Sequence, residues 1–255
     1  LVAEDLDYLF KEWNQDIDDA SLRRSSPVLR ALLVEGLLGR AAEAVCPDGR
    51  RPVRASFELF RAAHLVPTST RATVVRAGGR LSLVDSELIQ EGTVVARAHV
   101  LFAVPSEEPL GKVWTADHGV GPPATSLPSD EEGRTYFSGD TWTATAAEHF
   151  NDRPKTVWQQ PLTVVEGSPP TPFEIIAAAC DITSLVVHWG DRGVEFINAD
   201  VSIALARLPL SDTVGMSVSH RTSDSGVSVG SAVLFDCRGT LGTSSVVALA
   251  NARNA

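Results

Sequence analysis

One acidic side chain in this sequence lies where a charge is costly. Asp181 interrupts an apolar run, residues 173–188, that has the composition of a buried helix. Burying a carboxylate without a partner costs several kcal/mol, so Asp181 must be hydrogen-bonded or take part in chemistry. Two interpretations stay open at this point. Asp181 contacts water or substrate in a ligand cavity, or it is a structural acid bonded to a backbone group or an arginine.

Two further places carry side chains that are able to move a proton. Asp200 comes at the head of a predicted strand, directly after Asn198 and Ala199. A carboxylate here is able to accept a proton, or it is a solvated acid that starts the strand. Thr222 and Ser223 begin a Thr-Ser-Asp-Ser-Gly stretch, which is typical of a turn between strands and also offers two hydroxyl groups.

The histidines and cysteines form no recognisable catalytic or metal-binding pattern. The six histidines are dispersed, and His188 ends the second predicted helix, where a cation suits the helix dipole. Cys46, Cys180 and Cys237 are too few and too scattered for a disulfide framework or a zinc site. Phosphate-binding glycine loops and the HExxH and GxSxG motifs are absent, so we expect no cofactor and no metal.

The composition argues against several kinds of partner. The 255-residue chain carries a formal net charge of −10, whereas nucleic-acid binding needs a basic face. No apolar run approaches the roughly 20 residues of a membrane span, and the acidic first residues do not resemble a secretory signal. We therefore expect a cytoplasmic protein that binds no nucleic acid and has no membrane span.

The two halves of the sequence repeat the same order of predicted elements. Ser25, Ser26 and Pro27 start a helix over residues 28–45, and Thr171 and Pro172 start the corresponding helix over residues 173–188. Strands are predicted at 54–60, 70–76, 81–90 and 94–103, and again at 199–206, 213–221, 226–237 and 241–250. A repeat with several strands per copy indicates a duplicated domain.

The segment between the copies has a different composition. Residues 105–138 are rich in proline, glycine, serine and acids and show no periodicity. We predict an N-terminal domain at 1–104, a linker at 105–135 and a C-terminal domain at 136–255. The predicted fold is α+β, with two tandem repeats that each wrap a curved antiparallel sheet around a central helix. This arrangement is called a double hotdog.

Six short phrases in the second half carry a family resemblance. They are PKTVW at 154–158, PL at 161–162 with EG at 166–167, AAACD at 177–181, FINADVS at 196–202, RLP at 207–209 and FDCRG at 235–239. Together with the order of elements they resemble acyl-CoA thioesterases of the double-hotdog, TesB-like type, especially the branch common in actinobacteria.

The resemblance implies that water hydrolyses an acyl-CoA thioester without any cofactor. Asp200 takes the family's catalytic aspartate position, Thr222 lies near its hydroxyl position, and relatives often carry an acid at Asp181. The expected substrate contacts are Ser25, Ser26, Ser223, Trp158 and Arg207. Trp158 is alternatively a core residue, and Arg207 alternatively pairs with a surface acid.

The sequence also departs from the family pattern. Val247 replaces the family glutamine, and valine cannot hold a water molecule. Arg24, Ser25 and Ser26 replace a His-Gly-Gly phrase before the first helix. The second hypothesis is therefore a catalytically inactive acyl-CoA- or lipid-binding protein. A hydratase of this fold would need a paired histidine and acid, which the sequence does not show.

Two expectations concern the surfaces of the fold. Glu35 is offset from Asp181 on the first helix, and we expect it at a solvated or interface edge. Exposed sheet edges are common pairing sites, so we expect a homodimer.

Overall fold

A computed structural model places one helix and four long strands in the first half of the chain. The structure describes residues 27–64, 66–115, 119, 121–123, 127–161 and 163–251. Helix α1 spans Pro27–Val45, and the strands are β1 (Arg51–Leu59), β2 (Thr68–Ala77), β3 (Leu81–Gln90) and β4 (Thr93–Ala103).

The second half repeats this order after a short strand-rich entry. The entry contains β5 (Arg134–Phe137), β6 (Trp142–Thr143), a 3-10 helix at Ala146–His149 and β7 (Thr156–Gln159). Helices α2 (Pro172–Ala179) and α3 (Ile182–His188) follow, and then the short strands β8 (Trp189–Gly190) and β9 (Gly193–Val194). The long strands are β10 (Phe196–Leu205), β11 (Val214–Asp224), β12 (Val227–Asp236) and β13 (Gly239–Ala250).

Eleven strands form one antiparallel sheet with an internal symmetry. The strand order is β2-β3-β4-β1-β10-β13-β12-β11-β7-β5-β6. Strands β1 and β10 pair at the centre. Strands β4, β3 and β2 follow outward from β1, and the corresponding strands β13, β12 and β11 follow outward from β10. The topology is therefore the same in both halves, and the predicted α+β double-hotdog fold is confirmed.

The helices cover one face of the sheet, and small residues let them approach each other. That face is the inner face, and the opposite one is the outer face. A Cβ atom on Gly36 of α1 would lie 3.2 Å from the Cβ of Ala178 on α2, and one on Gly39 would lie 3.1 Å from the Cβ of Ala177. Larger residues at these positions would push the two helices apart. Leu38, on the same helix, is fully buried.

The second predicted helix is broken in two, which corrects the single helix predicted over 173–188. Helix α2 ends at Ala179 and α3 begins at Ile182. Across the break the amide groups of Cys180, Thr183 and Ser184 bond the carbonyl groups three residues earlier. These tight turns redirect the chain at Cys180 and Asp181. Apolar periodicity continues through the break, so the sequence pattern did not reveal it.

Thr171 caps helix α2 as its sequence position predicts. Its Oγ1 accepts a hydrogen bond from the Glu174 amide at 3.0 Å and donates one to Glu43 Oε2 at 2.5 Å. We expect Thr171→Ala to lower the free energy of unfolding by about 1 kcal/mol, as measured by urea denaturation. Thr171→Ser keeps both hydrogen bonds and serves as the control. Equal stability of the Ala and Ser variants would show that the cap contributes nothing.

The described residues between β4 and β5 belong to no helix or strand. In the part of the chain that the structure describes, no helix is long and apolar enough to cross a membrane.

Candidate functional site

Asp200 lies on the outer face of the sheet, in the middle of a row of paired residues. Glu58, Asp200, Val247, Val229 and Thr222 occupy successive strands β1, β10, β13, β12 and β11 at matching register. The buried residue that follows Asp200 in the strand, Val201, points to the inner face. Since side chains alternate along a strand, Asp200 points outward.

A backbone amide holds the carboxylate of Asp200. Its Oδ1 accepts a hydrogen bond from the Val247 N–H at 2.8 Å. The register of β10 against β13 shifts between Asn198 and Asp200, so Ala199 forms a β-bulge. Among the described residues, no hydrogen bond reaches the second oxygen of Asp200. The half-buried carboxylate is therefore oriented by the chain and keeps one oxygen for another partner.

Thr222 is not brought to Asp200. Strands β12 and β13 separate the two residues, and three spacings of about 4.8 Å place them about 14 Å apart along the sheet. Thr222 and Ser223 lie within strand β11, so the predicted turn at these residues is wrong. The turn lies at Ser225 and Gly226, which both have positive φ angles. A turn pattern of five polar residues does not reveal which of them still belong to the strand.

Asp181 is buried at the break between α2 and α3. Its Oδ1 accepts a hydrogen bond from Asn198 Nδ2 at 2.7 Å. The partner is therefore a side-chain amide on β10, and not the backbone group or arginine that the structural interpretation predicts. Burial raises the pKa of Asp181 to about 6, although the Asn198 bond and the charge of Arg134 oppose the rise. A buried carboxyl with such a pKa is partly protonated below pH 6 and charged at pH 8.

Glu35 is fully buried beside Asp181, so the solvated edge, one of the two positions expected for it, is wrong. Its Oε2 accepts a hydrogen bond from the Cys180 thiol at 3.1 Å. Burial, and secondly the charge of Asp181, raise the pKa of Glu35 well above its usual range. Both effects favour the protonated form of Glu35. The close crossing of α1 and α2, which the sequence does not reveal, brings the two acids together.

Arg207 is held by a buried acid. Its NH1 and NH2 groups donate to both carboxylate oxygens of Asp236 at 2.8 Å and 2.6 Å, and its Nε donates to the Thr240 carbonyl at 3.1 Å. Burial raises the pKa of Asp236, but the Arg207 bonds and two backbone amides outweigh it and lower the pKa to about 2. The guanidinium is therefore bound to an acid of the chain, as the alternative predicts, but this acid is buried and not at the surface.

Trp158, another predicted contact, lies four strands away from Asp200. Trp158 lies on β7, is 9% exposed, and stacks on Phe235 with ring centroids 5.7 Å apart. It is therefore part of the core, as the alternative interpretation predicts. Ser25 and Ser26 lie outside the described residues.

A cavity of about 420 Å³ opens at the end of α3, and no sequence motif predicted it. His188 and Phe196 stack on its wall with centroids 5.1 Å apart, and the Arg221 guanidinium lies 5.3 Å from the Phe196 ring centre. Burial lowers the pKa of His188 to about 4. The imidazole is neutral at pH 7, so the expected cation at the helix end is wrong.

The bulge at Ala199 turns Phe196 toward the inner face, where its ring lines the cavity. This bulge has no sequence signature.

Comparison with known proteins places both halves in one family. The family model of the acyl-CoA thioesterase N-terminal domain matches residues 33–103, and the model of the C-terminal domain matches residues 118–249. No curated protein sequence matches the chain.

Solved structures with the same fold include three from bacteria. A tesB protein of Mycobacterium avium subspecies paratuberculosis is 18% identical, with a TM-score of 0.61 over 85% of each chain. An acyl-CoA thioesterase II of Mycobacterium marinum is 16% identical, with a TM-score of 0.64 over 85% of this chain and 87% of that one. A hot dog protein of unknown function from Alicyclobacillus acidocaldarius is 16% identical, with a TM-score of 0.65 over 86% of each chain. Because the two family models together cover most of the sequence, the chain belongs to the acyl-CoA thioesterase family and is a thioester hydrolase with a double-hotdog fold.

Proposed function

We propose that the chain hydrolyses acyl-CoA thioesters to a free acid and CoA, with Asp200 as the general base. Family membership supports the reaction class and the acyl-CoA substrate. The observation that carries the assignment of the base is the hydrogen bond between Val247 N–H and Asp200 Oδ1, at 2.8 Å. It orients a half-buried carboxylate and leaves the second oxygen to accept a proton.

The proposed reaction needs only water and the substrate. Asp200 takes a proton from a water molecule as the water oxygen bonds to the thioester carbonyl carbon. The tetrahedral intermediate then collapses, the carbon–sulfur bond breaks, and the CoA sulfur leaves with the proton. Acyl-CoA and water are converted into a carboxylic acid and CoA, with no change in oxidation state.

Asp181 is less suited to this step. Burial raises the pKa of Asp181 to about 6, yet its side chain is only 4% exposed and Asn198 already bonds one of its oxygens. A general base must reach the water that it deprotonates. Asp200 meets this requirement without any movement of the helices.

One observation favours binding without hydrolysis as the second candidate. Val247, directly opposite Asp200, is aliphatic and 39% exposed, and Thr222 lies two strands beyond it. In the described part of the chain, no side chain next to Asp200 in this row offers the amide that would hold a water molecule.

A panel of acyl-CoA substrates separates the two functions. We expect purified protein to release free CoA thiol from at least one acyl chain length, measured with a thiol reagent. Background release combined with a higher melting temperature in the presence of the same acyl-CoA would instead support the binding protein. Absence of both effects would contradict both candidates.

A further inference from the structure

We propose that Asp181 and Asn198 are positioning residues for hydrolysis: their hydrogen bond holds the β-bulge at Ala199 and thereby the carboxylate of Asp200. This inference rests on the proposed role of Asp200 as base. It gives a role to Asp181, a buried acid that takes no part in the proposed proton transfer.

The bulge is the feature that connects the two faces of the sheet. Asn198 and Asp200 are two residues apart, and in a regular strand they would point to the same face. The register shift at Ala199 separates them, so Asn198 points to the helices and Asp200 points outward. A bulge re-aims a side chain in this way, and slippage by one residue would reverse it.

One hydrogen bond holds the residue before the bulge, Asn198, and another holds the residue after it, Asp200. On the inner face, Asn198 Nδ2 donates to Asp181 Oδ1 at 2.7 Å, which is short for an N–H···O bond and consistent with a charged acceptor. On the outer face, Val247 N–H donates to Asp200 Oδ1 at 2.8 Å. Removing the acceptor on Asp181 would leave a polar amide without its partner at the helix–sheet contact, so Asn198 would move to find another.

Contacts from α1 and from the break between α2 and α3 hold Asp181 in place. Asp181 lies at the break between α2 and α3, where the Ser184 amide bonds its carbonyl group at 2.9 Å. Glu35 on α1 bonds the adjacent Cys180 thiol at 3.1 Å and packs against the break. Both side chains are at least 96% buried, so Asp181 offers Asn198 an acceptor that does not move with the surface.

Two variants and a conservative control test the assignment through the Val247 amide. We expect Asp181→Ala and Asn198→Ala each to lower hydrogen-exchange protection of the Val247 N–H by about tenfold, measured by NMR. Asp181→Asn keeps an acceptor oxygen for Asn198, so it should preserve this protection. Unchanged protection in both alanine variants, with the fold intact, would overturn the proposal whether or not the protein hydrolyses thioesters.

Activity provides the second readout. Both alanine variants should lower kcat by about 10- to 100-fold with little change in KM, because a displaced base affects the chemical step. The double variant should be no slower than either single variant, since both act through one hydrogen bond. Asp181→Asn should restore kcat. A loss in Asp181→Asn equal to that in Asp181→Ala would contradict positioning and make Asp181 the base itself.

The outcomes also show which of two claims fails, the positioning role of Asp181 and Asn198 or the role of Asp200 as base. If the Val247 protection responds as expected but Asp200→Asn remains active, the bulge is held as described and Asp200 is not the base. If neither variant changes kcat while the Val247 protection falls, the Asp181–Asn198 bond is structural only, and its link to hydrolysis is wrong.

Discussion

Asp200→Asn should lower kcat for acyl-CoA hydrolysis by about 10²- to 10⁴-fold, the usual range for losing a general base. The amide oxygen can still accept the Val247 N–H, so the bulge and the fold should survive the change. An amide cannot take a proton from water, and the chemical step therefore slows while KM changes little. Initial rates of CoA thiol release under saturating substrate measure the effect.

A neighbouring acid provides the matched control for this prediction. Glu58 lies directly opposite Asp200 on β1, also as a half-buried acid on the same face. Glu58→Gln should leave kcat within about twofold of the wild type, because the change keeps the size of the side chain and Glu58 is not the proposed proton acceptor. Full activity in Asp200→Asn, or an equal loss in Glu58→Gln, would remove Asp200 from the mechanism.

Arg207→Met should lower the free energy of unfolding by about 3 to 5 kcal/mol, because it removes the cation that pairs with the buried charge of Asp236 and leaves that charge only two backbone amides. The KM for acyl-CoA should not change, since the guanidinium is committed to the chain. Urea denaturation at pH 7 measures the stability. Arg71→Met is the control, because Arg71 is an exposed strand arginine whose ion pair with Glu87 should contribute less than about 1 kcal/mol.

The effect of Arg207→Met should depend on pH with a defined sign. The pKa of Asp236 falls from 3.8 to about 2 in the folded chain. Its stabilising contribution is therefore complete above the unfolded pKa and is lost as the pH falls toward 2. The stability difference between wild type and variant should shrink below pH 4. Wild-type stability in Arg207→Met, together with a higher KM, would instead mean that Arg207 contacts the substrate.

The long elements could be read from the sequence because their signals are local. Strand β3 occupies the predicted residues 81–90, and α1 begins one residue before its predicted start. Alternating apolar residues and Ser-Pro or Thr-Pro starts act over a few positions, so they predict an element without knowledge of its neighbours. Their repetition predicted the duplication, and the symmetric strand order agrees with it.

The site could be predicted only in part, because its geometry depends on irregularities. The bulge at Ala199 decides that Asn198 meets Asp181 while Asp200 points the other way. Family resemblance singled out Asp200 and Asp181, and their assignment as base and positioning residue stays a prediction. The resemblance could not show that two strands, β12 and β13, separate Thr222 from Asp200.

The sequence alone determined the order of elements, the duplication and the family, since each depends on patterns that neighbouring residues carry. The tertiary structure decided the partners of the charged groups. Glu35 bonds Cys180 across 145 positions, and Arg207 bonds Asp236 across 29. Such contacts arise when helices cross and strands bulge, and the free energy of each buried charge depends on the partner that packing brings to it.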